Sequence, residues 1–150
     1  MQKITTFLMF NDQAEAAMNF YVSIFRDAKI LSTMPGPGGA VMGGSFEISS
    51  QRFNCFNGGP RFKFEQGISL MVSADTQEEI DHLYDGLSEG GEQQPCSWLV
   101  DKFGVSWQIV PPILMKLLSD PDREKAGRVM QAMFKMTKII IADLEAAAAG

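Results

Sequence analysis

The sequence predicts an α+β fold in which two βαβββ modules form curved sheets around a shared cleft, followed by C-terminal helices. Three observations carry this prediction. The order strand, helix, strand, strand, strand can be read twice along the chain. Residues of the two copies match at a constant spacing of 64 positions, Thr5 with Ser69, Gln13 with Gln77, Glu15 with Glu79 and Phe20 with Tyr84. After Pro111-Pro112 the short β-rich runs give way to ILMKLLSDPDREKAGRVMQAMFKMTKIIIADLEAAAAG, which reads as helices. The 150 residues fit a single domain, with module one at about 1–60, module two at about 66–112 and a helical extension at 113–150.

Each element has a local cause. Ile4–Phe10 (ITTFLMF) is rich in aromatic and β-branched residues and reads as a strand. Asn11 or Asp12 is positioned to cap the helix that follows, and Ala14, Ala17, Met18, Tyr21 and Phe25 make its buried stripe at helical spacing. Strands are expected at Lys29–Met34, Val41–Ile48 and Arg52–Phe56, the first two separated by the loop PGPGGA. The second copy opens with a strand at Gly67–Ala74. Thr76 with Glu79 forms a capping box for the next helix, and Gly90-Gly91 ends it. SWLV, the turn DKFG and VSWQIVP complete the module. Asp101 in DKFG looks acidic and exposed, but Asp-x-x-Gly between strands is turn chemistry. In the extension Asp120 or Asp122 starts a helix whose apolar face is Met130, Met133 and Phe134, and the alanine run is expected to fray.

Composition narrows the partners. A net charge of −5, from 18 acidic and 13 basic residues, offers no basic face for nucleic acid or an anionic membrane. The start MQKITTF has no charged-then-apolar leader and no run reaches membrane-spanning length, so a cytoplasmic protein is expected. Cys55 and Cys96 lack CxxC spacing and are expected to be reduced and structural. The 10 Met and 11 Phe suit an ordinary adaptable core first, and a ligand cavity or subunit interface second.

The phrases FLMFNDQAEAAMNFYVSIF, FNGGPRFKF, TQEEID, WLVDKFGVSWQIVP and DPDREKAGRVMQAMFKM span almost the whole chain. In them the chain resembles the vicinal oxygen chelate superfamily of glyoxalase I, extradiol dioxygenases and bleomycin-resistance proteins. It is most similar to the PhnB-like group, often labelled a 3-demethylubiquinone-9 3-methyltransferase domain. The methyltransferase label fits the residues poorly. No GxGxxG follows a strand and opens a helix, and no doubly wound pattern is present to hold S-adenosylmethionine.

The resemblance also implies where a metal would sit. Metal-using members place His and Glu on the first and last strands of each module, pointing into the cleft. The corresponding residues here are Thr5 (Thr6 with a one-residue slip), Asn54, Ser69 and Gln108, all neutral. Hydroxyls and amides lack the charge or imidazole nitrogen that a transition metal needs. The expectation is therefore no metal and no cofactor, with these residues hydrogen-bonding an organic ligand or merely satisfying an inward strand face. Trp98 and Trp107 can wall an aromatic pocket or lie in the core. His82, the sole histidine, reads as a helix-surface residue, and Cys96 has no evident base to activate it.

Asn57-Gly58-Gly59-Pro60 reads as the seam between modules, because glycine permits a tight exit and proline stops the strand. Arg61 follows it where members of the group carry histidine. It can clamp a carboxylate or phosphate, which would make the ligand anionic, or pair with an acid such as Glu65. The expected function is metal-independent binding of a small organic molecule by a homodimer, at Thr5, Asn54, Arg61, Ser69, Trp98 and Gln108. The alternatives are a superfamily enzyme, by group transfer or isomerisation, and an interaction protein whose cleft is filled by Phe and Met.

Overall fold

The computed structural model describes residues 2–150, and the chain divides into two compact units, Met1–Phe64 and Glu65–Gly150. Unit one runs β1 (Thr6–Phe10), α1 (Ala14–Ile24), β2 (Ala28–Pro35), β3 (Val41–Ile48) and β4 (Gln51–Asn57). Its strands form one open sheet in the order β1-β4-β3-β2, with β1 parallel to β4 and the other neighbours antiparallel. Parallel neighbours cannot be joined by a hairpin, so the chain must cross over, and α1 is part of that crossing. The helix then covers one face of the sheet.

The sequence explains which face. Along β1 and β4 the side chains alternate, so Leu8, Phe10, Phe53 and Cys55 point to the helix side and are buried. Ala14, Ala17, Met18, Tyr21 and Ile24 supply the facing stripe of α1. Tyr21 lies 5.7 Å from Phe46, and Phe46 stacks on Phe53 at 5.1 Å, ring centre to ring centre. Each such ring removed from water contributes about 1.5–3 kcal/mol. The helix start differs from expectation. Neither Asn11 nor Asp12 caps it; instead the Ala14 N–H donates to Asn57 Oδ1 at 2.8 Å, so the cap comes from the far end of β4.

At the seam, Gly58 N–H donates to the Phe10 carbonyl at 2.7 Å, and Gly59 takes a positive φ of 93°. A Cβ on Gly58 would lie 2.5 Å from Met9 Sδ and 2.8 Å from the Phe62 ring, so a larger residue there would have to displace these side chains.

Unit two repeats the topology. It runs β5 (Leu70–Ser73), α2 (Gln77–Ser88), β6 (Glu92–Gln93), β7 (Trp98–Val100) and β8 (Ser106–Val110), and then α3 (Pro112–Leu118), α4 (Arg123–Phe134) and α5 (Ile141–Ala149). The sheet order is β5-β8-β7-β6, again with the first strand parallel to the last. β5 is shorter than the predicted Gly67–Ala74. The capping box is present: Glu79 N–H donates to Thr76 Oγ1 at 3.1 Å, and Glu79 Oε2 accepts from Asp75 N–H at 3.0 Å.

Asp101 is a turn residue as expected, but it is only 2% exposed. Its Oδ1 accepts from the Phe103 and Val105 N–H groups at 2.9 and 3.0 Å, and its Oδ2 from Trp107 Nε1 at 2.9 Å. Gly104, at φ 95°, closes the turn. The carboxylate therefore ties the β7–β8 connection to the core tryptophan.

The C-terminal helices depart from expectation in two ways. The buried face of α4 is Ala126 and Val129, whereas Phe134 is 56% exposed. The alanine run is the body of α5: Arg128 Nε and Nη2 donate to the Ala147 and Ala148 carbonyls at 2.9 and 3.0 Å, and Leu144 is fully buried. Between α4 and α5 the chain is fastened to α2. Gln77 donates to the Ile139 carbonyl at 3.0 Å and accepts from Ile141 N–H at 2.8 Å, while Lys138 pairs with Asp81 and Asp85 at 3.2 and 2.9 Å.

Two outcomes follow from these contacts. Asp101→Ala should cost roughly 3–5 kcal/mol in urea unfolding, because it strands two buried donors and one part-buried one, while Asp12→Ala on the surface should cost little; equal, small effects would contradict the turn's role. The Gln77 amide first, and Lys138 next, hold the Asp81 carboxyl below its ordinary 3.8. A depressed carboxylate stabilises the fold above that pH and loses its contribution as pH falls through the lowered value. Thermal stability should therefore drop in acid, and Asp81→Asn should shrink that drop; an unchanged acid slope would count against the contact.

Candidate functional site

In each unit one face of the sheet is covered by a helix, and the other carries the residues singled out from the sequence. In unit one the register places Asn54 beside Phe7 of β1 and Ser45 of β3. Ser45 Oγ donates to Asn54 Oδ1 at 2.8 Å. Together with Thr33, Met34 and Gly44 these residues line a depression of about 280 Å³. Thr5 lies just before β1, on the same face by alternation but outside this lining. The neighbour of Asn54 on the first strand is Phe7, which is 54% exposed.

Unit two repeats the geometry. Gln108 of β8 stands beside Met71 of β5 and Trp98 of β7. Its Nε2 donates to Ser69 Oγ at 2.9 Å. Met71 occupies the place of Phe7 in the 64-residue repeat and is likewise exposed, at 61%. Trp98 also borders a second depression, of about 450 Å³, with Gln66, Glu92, Gln93, Gln94 and Pro95. The structure thus brings Ser69, Trp98 and Gln108 together, and sets Asn54 in the equivalent place of unit one.

Arg61 lines neither of these two depressions. It is exposed on the turn after Pro60, with its guanidinium 4.7 Å from the centre of the Phe62 ring. Trp107 is a core residue, 2% exposed. His82 is exposed on α2, whose buried stripe of Ile80, Leu83, Tyr84 and Leu87 covers the opposite face of the sheet.

Phe7, Ser45, Met71, Glu92 and Gln94 were not singled out in the sequence. Parity held the signal: once Asn54 and Gln108 are taken as inward, their cross-strand partners follow from the register. The two-residue β6 gave too little pattern to reveal Glu92.

The amides and hydroxyls of this set donate and accept hydrogen bonds and carry no charge, and Glu92 stands at its margin. Among the described residues no three His, Cys, Asp or Glu side chains gather into a metal-ligand group. Burial pushes the Cys55 thiol up to about 11, away from the reactive thiolate, despite a backbone hydrogen bond from Gly44 that acts the other way.

This architecture, two four-stranded mixed sheets each with its first and last strands parallel, is that of the vicinal oxygen chelate superfamily. Residues 2–110 match the family model described as 3-demethylubiquinone-9 3-methyltransferase, and the chain belongs to that family, in its PhnB-like group. A PhnB protein from Bacillus cereus, provisionally described as a 3-demethylubiquinone-9 3-methyltransferase, is 38% identical, with a TM-score of 0.67 over 73% of this chain and 99% of that one. A protein from Pseudomonas aeruginosa shares the fold at 21% identity and a TM-score of 0.60, over 74% of this chain and 98% of its own. So does a fosfomycin-resistance protein, FosX, from Listeria monocytogenes, in a mutant form complexed with Mn(II) and 1S,2S-dihydroxypropylphosphonic acid. Its identity is 16% and its TM-score 0.53, over 78% of this chain and 99% of that one. No curated protein matches the chain.

With its thiol near 11, Cys55 should resist iodoacetamide at neutral pH in the folded protein and react only after denaturation. Peptide mapping that finds Cys55 alkylated under native conditions would contradict the buried placement.

Proposed function

We propose that the protein binds a small organic molecule without a metal ion, through the polar pairs on the open faces of its sheets. The observation that carries this reading is the Gln108–Ser69 hydrogen bond at 2.9 Å, echoed by Ser45–Asn54 at 2.8 Å. By the family resemblance, these are the strands on which metal ligands would be expected. Amide and hydroxyl oxygens do not offset the dehydration of a divalent ion as thiolate, imidazole or carboxylate do. They suit hydrogen bonding to an organic ligand, and Phe7, Met71 and Trp98 beside them supply apolar contact. Thr5 would contribute at the edge of the unit-one face, and Arg61 would clamp any anionic group within its reach.

A second reading, group transfer as in the family's methyltransferase description, is favoured by that description alone. It predicts saturable binding of S-adenosylmethionine. The metal-free reading predicts none, since no glycine-rich strand-to-helix turn is present to receive it. A homodimer accompanies the first reading: Met115, Met130 and Phe134 of the C-terminal helices stay exposed, which is apolar surface a second chain would cover. Sedimentation as a monomer at micromolar concentration would remove that part.

Elemental analysis of untagged protein should find no stoichiometric nickel, zinc, iron or manganese. Once a ligand is found by screening, Gln108→Leu should weaken it by about five- to tenfold, the effect of one hydrogen bond, and EDTA should change nothing. One equivalent of metal, or binding abolished by EDTA, would overturn the proposal.

A further inference from the structure

The unit-two depression has a chemical character that the unit-one depression lacks. Its lining, Gln66, Glu92, Gln93, Gln94, Pro95 and Trp98, holds amides, one carboxylate and one indole, and no cation. Register shows which of these meet. Glu92 stands opposite Val100, Gln93 opposite Leu99, and Gln94 N–H donates to the Trp98 carbonyl at 2.9 Å. Side chains alternate along strands, so Glu92, Gln94, Trp98 and Gln108 fall on one face. Glu92 is therefore a diagonal cross-strand neighbour of Trp98, at the roughly 7–8 Å spacing of such pairs. Both side chains border the same depression.

The wall is also rigid. The Tyr84 hydroxyl, on a fully buried residue, lies 3.0 Å from the Gln94 carbonyl and 2.9 Å from that of Trp98. Between them Cys96 and Ser97 take left-handed conformations, with φ of 62° and 65°, which side chains with a Cβ rarely adopt. Their N–H groups donate to the Met136 and Thr137 carbonyls at 2.9 and 2.6 Å, and Ile139 N–H donates to Ser97 Oγ at 3.3 Å. A turn held at both ends delivers Trp98 in one orientation, and a wall already ordered loses little entropy on binding.

We propose that this depression takes the cationic end of the ligand, an ammonium or guanidinium group, with Glu92 as counter-charge, the Trp98 ring as cation–π face and the glutamine amide oxygens as acceptors. The proposal rests on the small-molecule reading above and narrows it to a chemical class. The net charge of −5 works in the same direction, by drawing cations to the surface.

Three probes of similar size separate the possibilities: 2-phenylethylammonium, 2-phenylethanol and 3-phenylpropionate. Each is titrated into the full-length protein in EDTA, while the Trp98 indole N–H is followed by NMR. The ammonium should shift that signal and bind about fivefold more tightly than the alcohol, with the carboxylate weakest. Glu92→Gln should bring the ammonium down to the level of the alcohol. Trp98→Leu, which lacks the indole signal and is titrated by calorimetry beside the unaltered protein, should bind the ammonium more weakly by a similar factor, with far-UV circular dichroism checking that the variant is folded. Preference for the carboxylate, no effect of Glu92→Gln, or no shift at Trp98 with any probe would each overturn the proposal. Of these, carboxylate or alcohol binding at Trp98 leaves the small-molecule reading standing. Binding that appears only when EDTA is replaced by a divalent metal removes both.

Discussion

In both units the first strand lies parallel to the last, β1 against β4 and β5 against β8. That pairing decides where the other side chains can go. It obliges the chain to cross over between the paired strands, and the crossover helix covers one face of each sheet. On the covered face alternate residues are apolar and buried, among them Phe53, Cys55, Trp107 and Ile109. On the other face the intervening positions hold Asn54 and Gln108. The polar pairs therefore follow from topology and side-chain period, and a slip of one residue in either pairing would turn them into the core.

What could be read in the sequence was what depends on neighbours along the chain. The capping box at Thr76, the glycine exits at Gly59 and Gly104, and the repeat itself are local signals, and the structure contains each of them. What could not be read depends on residues far apart. The cap of α1 is Asn57, more than forty positions away from Ala14. Asp101 was recognised as a turn former, but its burial depends on a tryptophan in the next strand. The same limit applies to the candidate site. Asn54, Ser69 and Gln108 were singled out through the family resemblance and Trp98 through its aromatic chemistry, but Phe7 as the neighbour of Asn54 required the register. On α4, the methionines and Phe134 outweighed Ala126 and Val129 in the sequence pattern, although the latter two are the residues the fold buries.

The helices beyond residue 110 lie outside the region matched by the family model, and 73% of this chain already covers 99% of the Bacillus relative. They are nevertheless bound into unit two. Residues 136–141 donate to or accept from Gln77, Cys96 and Ser97, and Lys138 reaches two carboxylates of α2. Left-handed conformations at two successive residues with a Cβ cost about 1–2 kcal/mol each, and these hydrogen bonds offset that strain. The extension and the turn that presents Trp98 thus form one cooperative piece of structure.

The proposal that these amide and hydroxyl pairs bind an organic molecule without a metal ion is the central claim. Native mass spectrometry of protein purified without added metal tests this most directly. The account predicts an organic adduct that leaves on denaturation, no metal adduct, and loss of the organic mass in a folded Asn54→Leu, Gln108→Leu double variant. A metal adduct of unit stoichiometry, or an organic adduct retained by that variant, would contradict it.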